Sequence, residues 1–179
     1  MRRFTEGFYG YVFAVLVCVA LVGVWWLVIS PRGGEEHIPR RDYSITVANF
    51  SRAVPYQVWA PAQDPKGWIP NSNKIAKGVG GAQVLHLGYA TASRQHAMLI
   101  QSNEQPPAEF ANRMTNTNRS VGAEQIGGQT WERRFREDKK QRSLVRMLPD
   151  VTLIVTGTAD WPELAQLAAA LQQRPKPAS

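Results

Sequence analysis

The run EQIGGQTWERRFREDKKQRSLVRMLPDVTLIVTGT, Glu124 to Thr158, decides the fold. It divides into four strand-like pieces, Glu124–Ile126, Gln129–Arg136, Gln141–Met147 and Thr152–Thr158. Gly127-Gly128 makes the first turn, Glu137-Asp138-Lys139-Lys140 the middle one and Pro149-Asp150 the last. Strand follows strand with no length of chain for a helix between them. Parallel neighbours need a crossover of a dozen or more residues, so this sheet is antiparallel.

Upstream, Gln83–Thr91 and Gln95–Asn103 are rich in apolar residues, and Ala92-Ser93-Arg94 is a hairpin-length link. Tyr56-Gln57-Val58-Trp59-Ala60 alternates and stops at Pro61. Gly67 to Ile75 reads as a turn leading into a short extended piece. Pro107 to Thr117 has proline in its first turn and Phe110 and Met114 four apart, which predicts a helix. Asp42 caps a short helix running to about Ala53, although Thr46, Val47 and the approaching Pro55 favour extended chain. Downstream, Asp160-Trp161-Pro162-Glu163 combines an N-cap, an early proline and a carboxylate. It opens a helix to about Gln173 with a stripe of Leu164, Leu167, Ala168 and Leu171. Arg174 to Ser179, with two prolines, reads as a frayed tail. The order gives an α+β domain over 42–173, a mainly antiparallel sheet flanked by helices.

Ahead of it lies a different material. In the window 8–29, twenty residues are apolar or aromatic and the other two are Gly10 and Gly23. Setting it aside lowers the apolar share of the 179 residues from 44% to about 38%, ordinary for a soluble domain once glycine is added. At 1.5 Å per residue the window spans roughly 33 Å, enough for a bilayer core. Tyr9 and Tyr11 near one end, and Trp25 and Trp26 near the other, suit the headgroup level. The run is about twice as long as a signal-peptide core, and Pro31 follows the best cleavage site, Val28-Ile29-Ser30. An uncleaved single-span anchor is the reading, with 1–7 as a short cytoplasmic tail and 30–41, rich in proline, glycine and charge, as a tether. Arg2 and Arg3 before the run have the form of a signal anchor, which puts the domain outside the cytoplasm. Gly10 and Ala14, four apart, would let another helix approach closely. A freely soluble cytosolic enzyme and a polytopic transporter are excluded.

Cys18, inside the run, is the one cysteine, so the domain has neither disulfide nor thiol chemistry. His37 falls in the tether; His86 and His96 fall in the predicted hairpin and face each other if its turn lies at Ala92-Ser93. Two histidines without cysteine fall short of a zinc site. No nucleophile elbow occurs. Gly78-Val79-Gly80-Gly81 lacks the ending of a phosphate loop and reads as a flexible loop. Carboxylates are scattered through turns and helix starts. Trp59, Trp68, Trp131 and Trp161 read as a lined pocket or, more simply, as core and rim packing. No catalytic, metal or cofactor residues are assigned.

The most unusual local feature is the basic hairpin. The formal net charge of the chain is +7. Arg133, Arg134, Arg136, Lys139, Lys140 and Arg142 cluster there, with Arg146 beyond them, against Glu132, Glu137 and Asp138. It reads as a contact for anionic lipid, acidic wall polymer or another envelope protein. The plainer reading is a solvated strand edge protected from aggregation. Nucleic acid is not expected, since no aromatic-interleaved basic stripe is present.

Several short motifs in order are similar to a known family. They are the Arg-rich start and single span, Pro-Tyr-Gln-Val-Trp-Ala-Pro (55–61) with Gly67-Trp68, and Leu87-Gly88-Tyr89-Ala90-Thr91. Gln101-Ser102, Gly127-Gly128-Gln129-Thr130-Trp131-Glu132, Leu144-Val145-Arg146 and Val155-Thr156-Gly157-Thr158-Ala159 follow. Together they resemble the actinobacterial single-span membrane proteins of domain-of-unknown-function family 4245. The resemblance implies an envelope protein held in the plasma membrane with its domain outside, and it carries over no catalytic residues. The order of elements is also similar to the Mog1/PsbP-like fold, an analogy of fold alone. The expectation is a membrane-anchored, non-enzymatic binding or accessory domain. The rival is an envelope hydrolase or ligand-binding enzyme whose site assembles only in three dimensions.

Overall fold

A computed structural model describes residues 3–29 and 38–176, with the side chains of 3–9, 11 and 26–29 left aside. The chain forms two units, 1–37 and 38–179. The first holds one helix, α1 (Arg3–Ile29). Its described apolar side chains from Val12 to Trp25 are exposed on every side, Leu21 at 64% and Val22 at 67%. Among the described residues, no helix is long and apolar enough to cross a membrane. The tether over 30–37, with His37, lies outside the described residues.

The second unit runs α2 (Ser44–Ala53), β1 (Trp59–Pro61), β2 (Ile69–Lys77), β3 (Gln83–Ala90), β4 (His96–Ser102) and α3 (Pro107–Thr115). Then come β5 (Ser120–Ile126), β6 (Gln129–Arg136), β7 (Gln141–Met147), β8 (Thr152–Gly157), α4 (Trp161–Ala170) and β9 (Leu171–Gln173). Seven strands form one antiparallel sheet in the order β2-β3-β4-β8-β7-β6-β5. The α+β, mainly antiparallel architecture is the one predicted.

Alternation sorts the strand residues onto two faces. Leu85, Leu87, Tyr89, Leu99, Leu144, Leu153 and Val155 point one way, into a core closed by Val47 and Phe50 of α2 and Leu164, Leu167 and Ala168 of α4. Val84, Ile100, Val145 and Ile154 point the other way and pack on Phe110 and Ala111 of α3, with the partly buried Ala76, Met98 and Met114 at the margin. The central strand β8 is therefore buried along its whole length. Asp160 caps α4, its carboxylate accepting the Glu163 N–H at 3.1 Å.

The main departures lie where the chain ends meet. The helix expected to reach Gln173 stops at Ala170, because Leu171–Gln173 turns extended and pairs antiparallel with Trp59–Pro61. The strand expected from Tyr56 begins only at Trp59; Tyr56 and Val58 are core residues. The small β1-β9 sheet is riveted to the large one by buried Gln101. The Gln101 amide accepts the Trp59 N–H at 2.9 Å and donates to the Trp59 carbonyl at 2.6 Å, acting as a neighbouring strand would. The tail expected to fray from Arg174 is held through 176: the Arg174 N–H donates to the Val58 carbonyl, and Lys176 reaches that of Pro55. Residues 177–179 lie outside the described residues. The glycine loop at 78–81 is pinned as well, because the Val79 N–H donates to the buried Glu104 carboxylate, which Arg113 also holds. At the entrance to the unit, Arg40 pairs with Asp64 and the Arg41 N–H reaches the Pro70 carbonyl.

Candidate functional site

Helix α3 has nine residues, and the sheet face beneath it is longer. It covers the level of Ile100, Val145 and Ile154 and stops there. One level further along the strands the face is bare. The result is an open cleft of about 540 Å³, lined by His86, His96, Met98, Ile100, Met114, Lys139, Gln141, Thr156, Gly157 and Thr158.

Its floor is less polar than the residue names suggest. Gln141 Nε2 donates to Thr156 Oγ1 at 2.8 Å, and the Thr156 hydroxyl donates to the Arg142 carbonyl. Ser143 and Thr156 share a further hydrogen bond at 2.7 Å. These groups satisfy one another, which leaves Met98, Ile100, Met114 and the bare backbone of Gly157 as the surface offered to a ligand. Gly157 has a steric reason to be glycine: an added Cβ would stand 2.0 Å from the His96 carbonyl oxygen. That oxygen also accepts the N–H groups of Thr158 and Ala159, so the β4 entrance and the β8 exit are locked together.

His86 and His96 do share this face, but they do not meet. His86 sits opposite Ile100, and His96 opposite Ala90. Burial pushes both imidazoles below their ordinary value of 6.5, with Lys74 adding to the effect at His86. Among the described residues no three of His, Cys, Asp or Glu gather as a metal would require.

The basic hairpin is divided by the pleat. Arg134 is 4% exposed and serves the fold. Its guanidinium holds both Glu132 oxygens, Asn112 Oδ1 and the Thr117 carbonyl, tying β6 to α3. Arg133, on the other face, lies over the Trp161 ring at 3.9 Å with Glu124 beside it. Arg136 grips Asp138 with two bonds of 2.7 Å. Arg142 lies over Phe135. Among the described residues Lys139, Lys140 and Arg142 make no salt bridge, and the two lysines stand exposed at the tip. The six residues do not form one surface. The tryptophans disperse too. Trp68 and Trp131 are core, while Trp59 borders a separate cavity of about 180 Å³ with Trp131, beneath Arg146.

Of the cleft, the sequence singled out His86, His96 and Lys139, the last for a different reason. Met98, Ile100, Met114, Gln141, Thr156, Gly157 and Thr158 were missed. The available signal was length: an eleven-residue helix at most, between strands that needed covering on two faces.

A family model described as "Protein of unknown function (DUF4245)" matches residues 3–171, and the chain belongs to that family. No curated protein matches the chain. Among solved structures, the crystal structure of MucB in complex with MucA(peri) is similar with a TM-score of 0.41 at 11% identity. The match covers 65% of this chain and 36% of that one, so the chain spans about a third of the length of that protein.

Proposed function

We propose that this protein is a membrane-anchored, non-enzymatic accessory domain of the cell envelope that holds an apolar ligand in the cleft beside the end of α3. The observation that carries the reading is the half-covered sheet face. A pocket of this size with an apolar floor, few polar groups and a charged mouth has the make-up of a small-molecule site. The floor's hydroxyls and amide are spent on each other, which suits retention of a ligand better than attack upon one.

The anchor is argued from α1. Apolar side chains exposed all round a helix find their solvent in lipid, and the 22-residue window without charge is long enough to span. Residues 8–29 then sit in the plasma membrane, and the Arg-rich start places the domain outside the cytoplasm. Lys139, Lys140 and Arg142 supply the contact to an anionic surface, wall polymer or envelope partner. The alternative is an envelope hydrolase or ligand-binding enzyme, for which His86 and His96 offer a starting point.

Topology is the test. Ser93 is exposed in the β3-β4 turn. A Ser93→Cys variant, with Cys18→Ser to remove the native thiol, reacts with a membrane-impermeant maleimide in cells whose inner membrane is intact. Labelling that appears only after lysis overturns the placement outside.

A further inference from the structure

We propose that the occupant of the cleft is a single long-chain fatty acid, its hydrocarbon on Met98, Ile100 and Met114 and its carboxylate at Lys139. The inference deepens the binding reading above and rests on it. Charge complementarity selects the head. None of the lining residues is acidic. The β6-β7 turn that forms one lip carries two carboxylates, but each is turned onto an arginine, Glu137 to Arg119 and Asp138 to Arg136. Lys139 follows them in the same turn, makes no salt bridge among the described residues although Asp138 is near enough to feel its charge, and lines the mouth. One lysine without a salt bridge, at one end of an apolar floor, suits a ligand with one anionic group.

The floor selects the tail. Met98 and Met114 supply soft, unbranched side chains on either side of the stiffer, β-branched Ile100, a surface that adapts to a flexible hydrocarbon. Neighbouring polar groups cannot compete for it, because Gln141, Ser143 and Thr156 are bonded among themselves. His86 and His96 flank the floor, and burial disfavours their charged forms.

The chain has four methionines, which makes a direct probe. Full-length protein in nanodiscs of neutral lipid is labelled with 13C at the methionine methyls and titrated with palmitate. Met98 and Met114 shift and saturate together, while Met147, exposed at the end of β7, stays put. Laurate, four carbons shorter, binds at least a hundredfold more weakly. Lys139→Glu weakens palmitate roughly tenfold and leaves hexadecanol unchanged, which also shows that the variant is folded. Absence of shifts at Met98 and Met114 overturns the proposal. So does hexadecanol matching palmitate in the unmodified protein, a lysophospholipid binding more tightly than the free acid, or an extended peptide displacing it. Ser93 labelling reads the placement of the domain independently, so either result can fail without the other.

Discussion

Gln101 is the residue whose chemistry reaches furthest. It is wholly buried, yet both polar ends of its amide are used, one on each backbone group of Trp59. An isosteric apolar replacement fills the space and orphans a donor and an acceptor at once. Gln101→Leu therefore lowers the unfolding free energy by about 2–4 kcal/mol, since each unsatisfied buried group costs about 1–3 kcal/mol. Urea denaturation measures it, and a loss under about 0.5 kcal/mol would mean that water replaces the amide. His86 sets a pH dependence. Its folded form binds a proton less readily than the unfolded chain, because of burial first and Lys74 second. Unfolding below the ordinary value of 6.5 thus takes up a proton that the fold refuses. The stabilisation is full above that value and is lost as the pH falls toward the depressed one. His86→Gln should flatten the drop in urea midpoint between pH 7.5 and 5.5; identical drops in both proteins would remove His86 as its source.

At the scale of elements, the β6-β7 hairpin shows how charge that looks uniform in sequence separates by pleat. Arg134 bonds inward to three partners, on β6, on α3 and in the loop after α3, whereas Lys139 and Lys140 stand in solvent at the tip. Arg134→Gln costs about 2–4 kcal/mol, as for a buried charge pair broken on one side and softened by the half-exposed Glu132. The triple variant Lys139→Gln, Lys140→Gln, Arg142→Gln stays within roughly 0.5 kcal/mol of the parent. It nonetheless loses salt-sensitive binding to anionic vesicles, at about 1 kcal/mol per charge. Equal binding of parent and triple variant, or equal binding to neutral vesicles, would leave the tip as edge protection. The strands of this hairpin were legible because turn residues bracket them. Their inward and outward arginines were not, because phase within a strand of mixed charge depends on what lies above each face. The same holds for β9. Leu171 continues the helical stripe of Leu164 and Leu167, and only the distant Trp59–Pro61 segment recruits it into a strand.

For the molecule as a whole, the sheet and its order of elements follow from local signals, while the cleft follows from a shortfall. Two helices cover one face of seven strands and a single short helix covers the other. A sequence reading assigns α3 correctly and still misses what it leaves bare, because exposure is a property of the assembled layers. Gly157 illustrates the point. Its neighbours in sequence give no reason for glycine; the reason is the His96 carbonyl, brought against it by the pairing of β4 with β8.

The pairing of β1 with β9 has a consequence for synthesis. Trp59–Pro61 leaves the ribosome early, and its partner Leu171–Gln173 is nearly the last part of the domain to appear. At roughly 5–20 residues per second, the intervening chain of about 110 residues takes on the order of 5–20 s to make. Gln101 arrives 42 positions after Trp59, well before the true partner strand. Its amide can take hold of the Trp59 backbone groups once β4 has formed, on the edge of β1 away from the one that Leu171–Gln173 will pair with, so one side of the segment is secured while the other still waits for its strand.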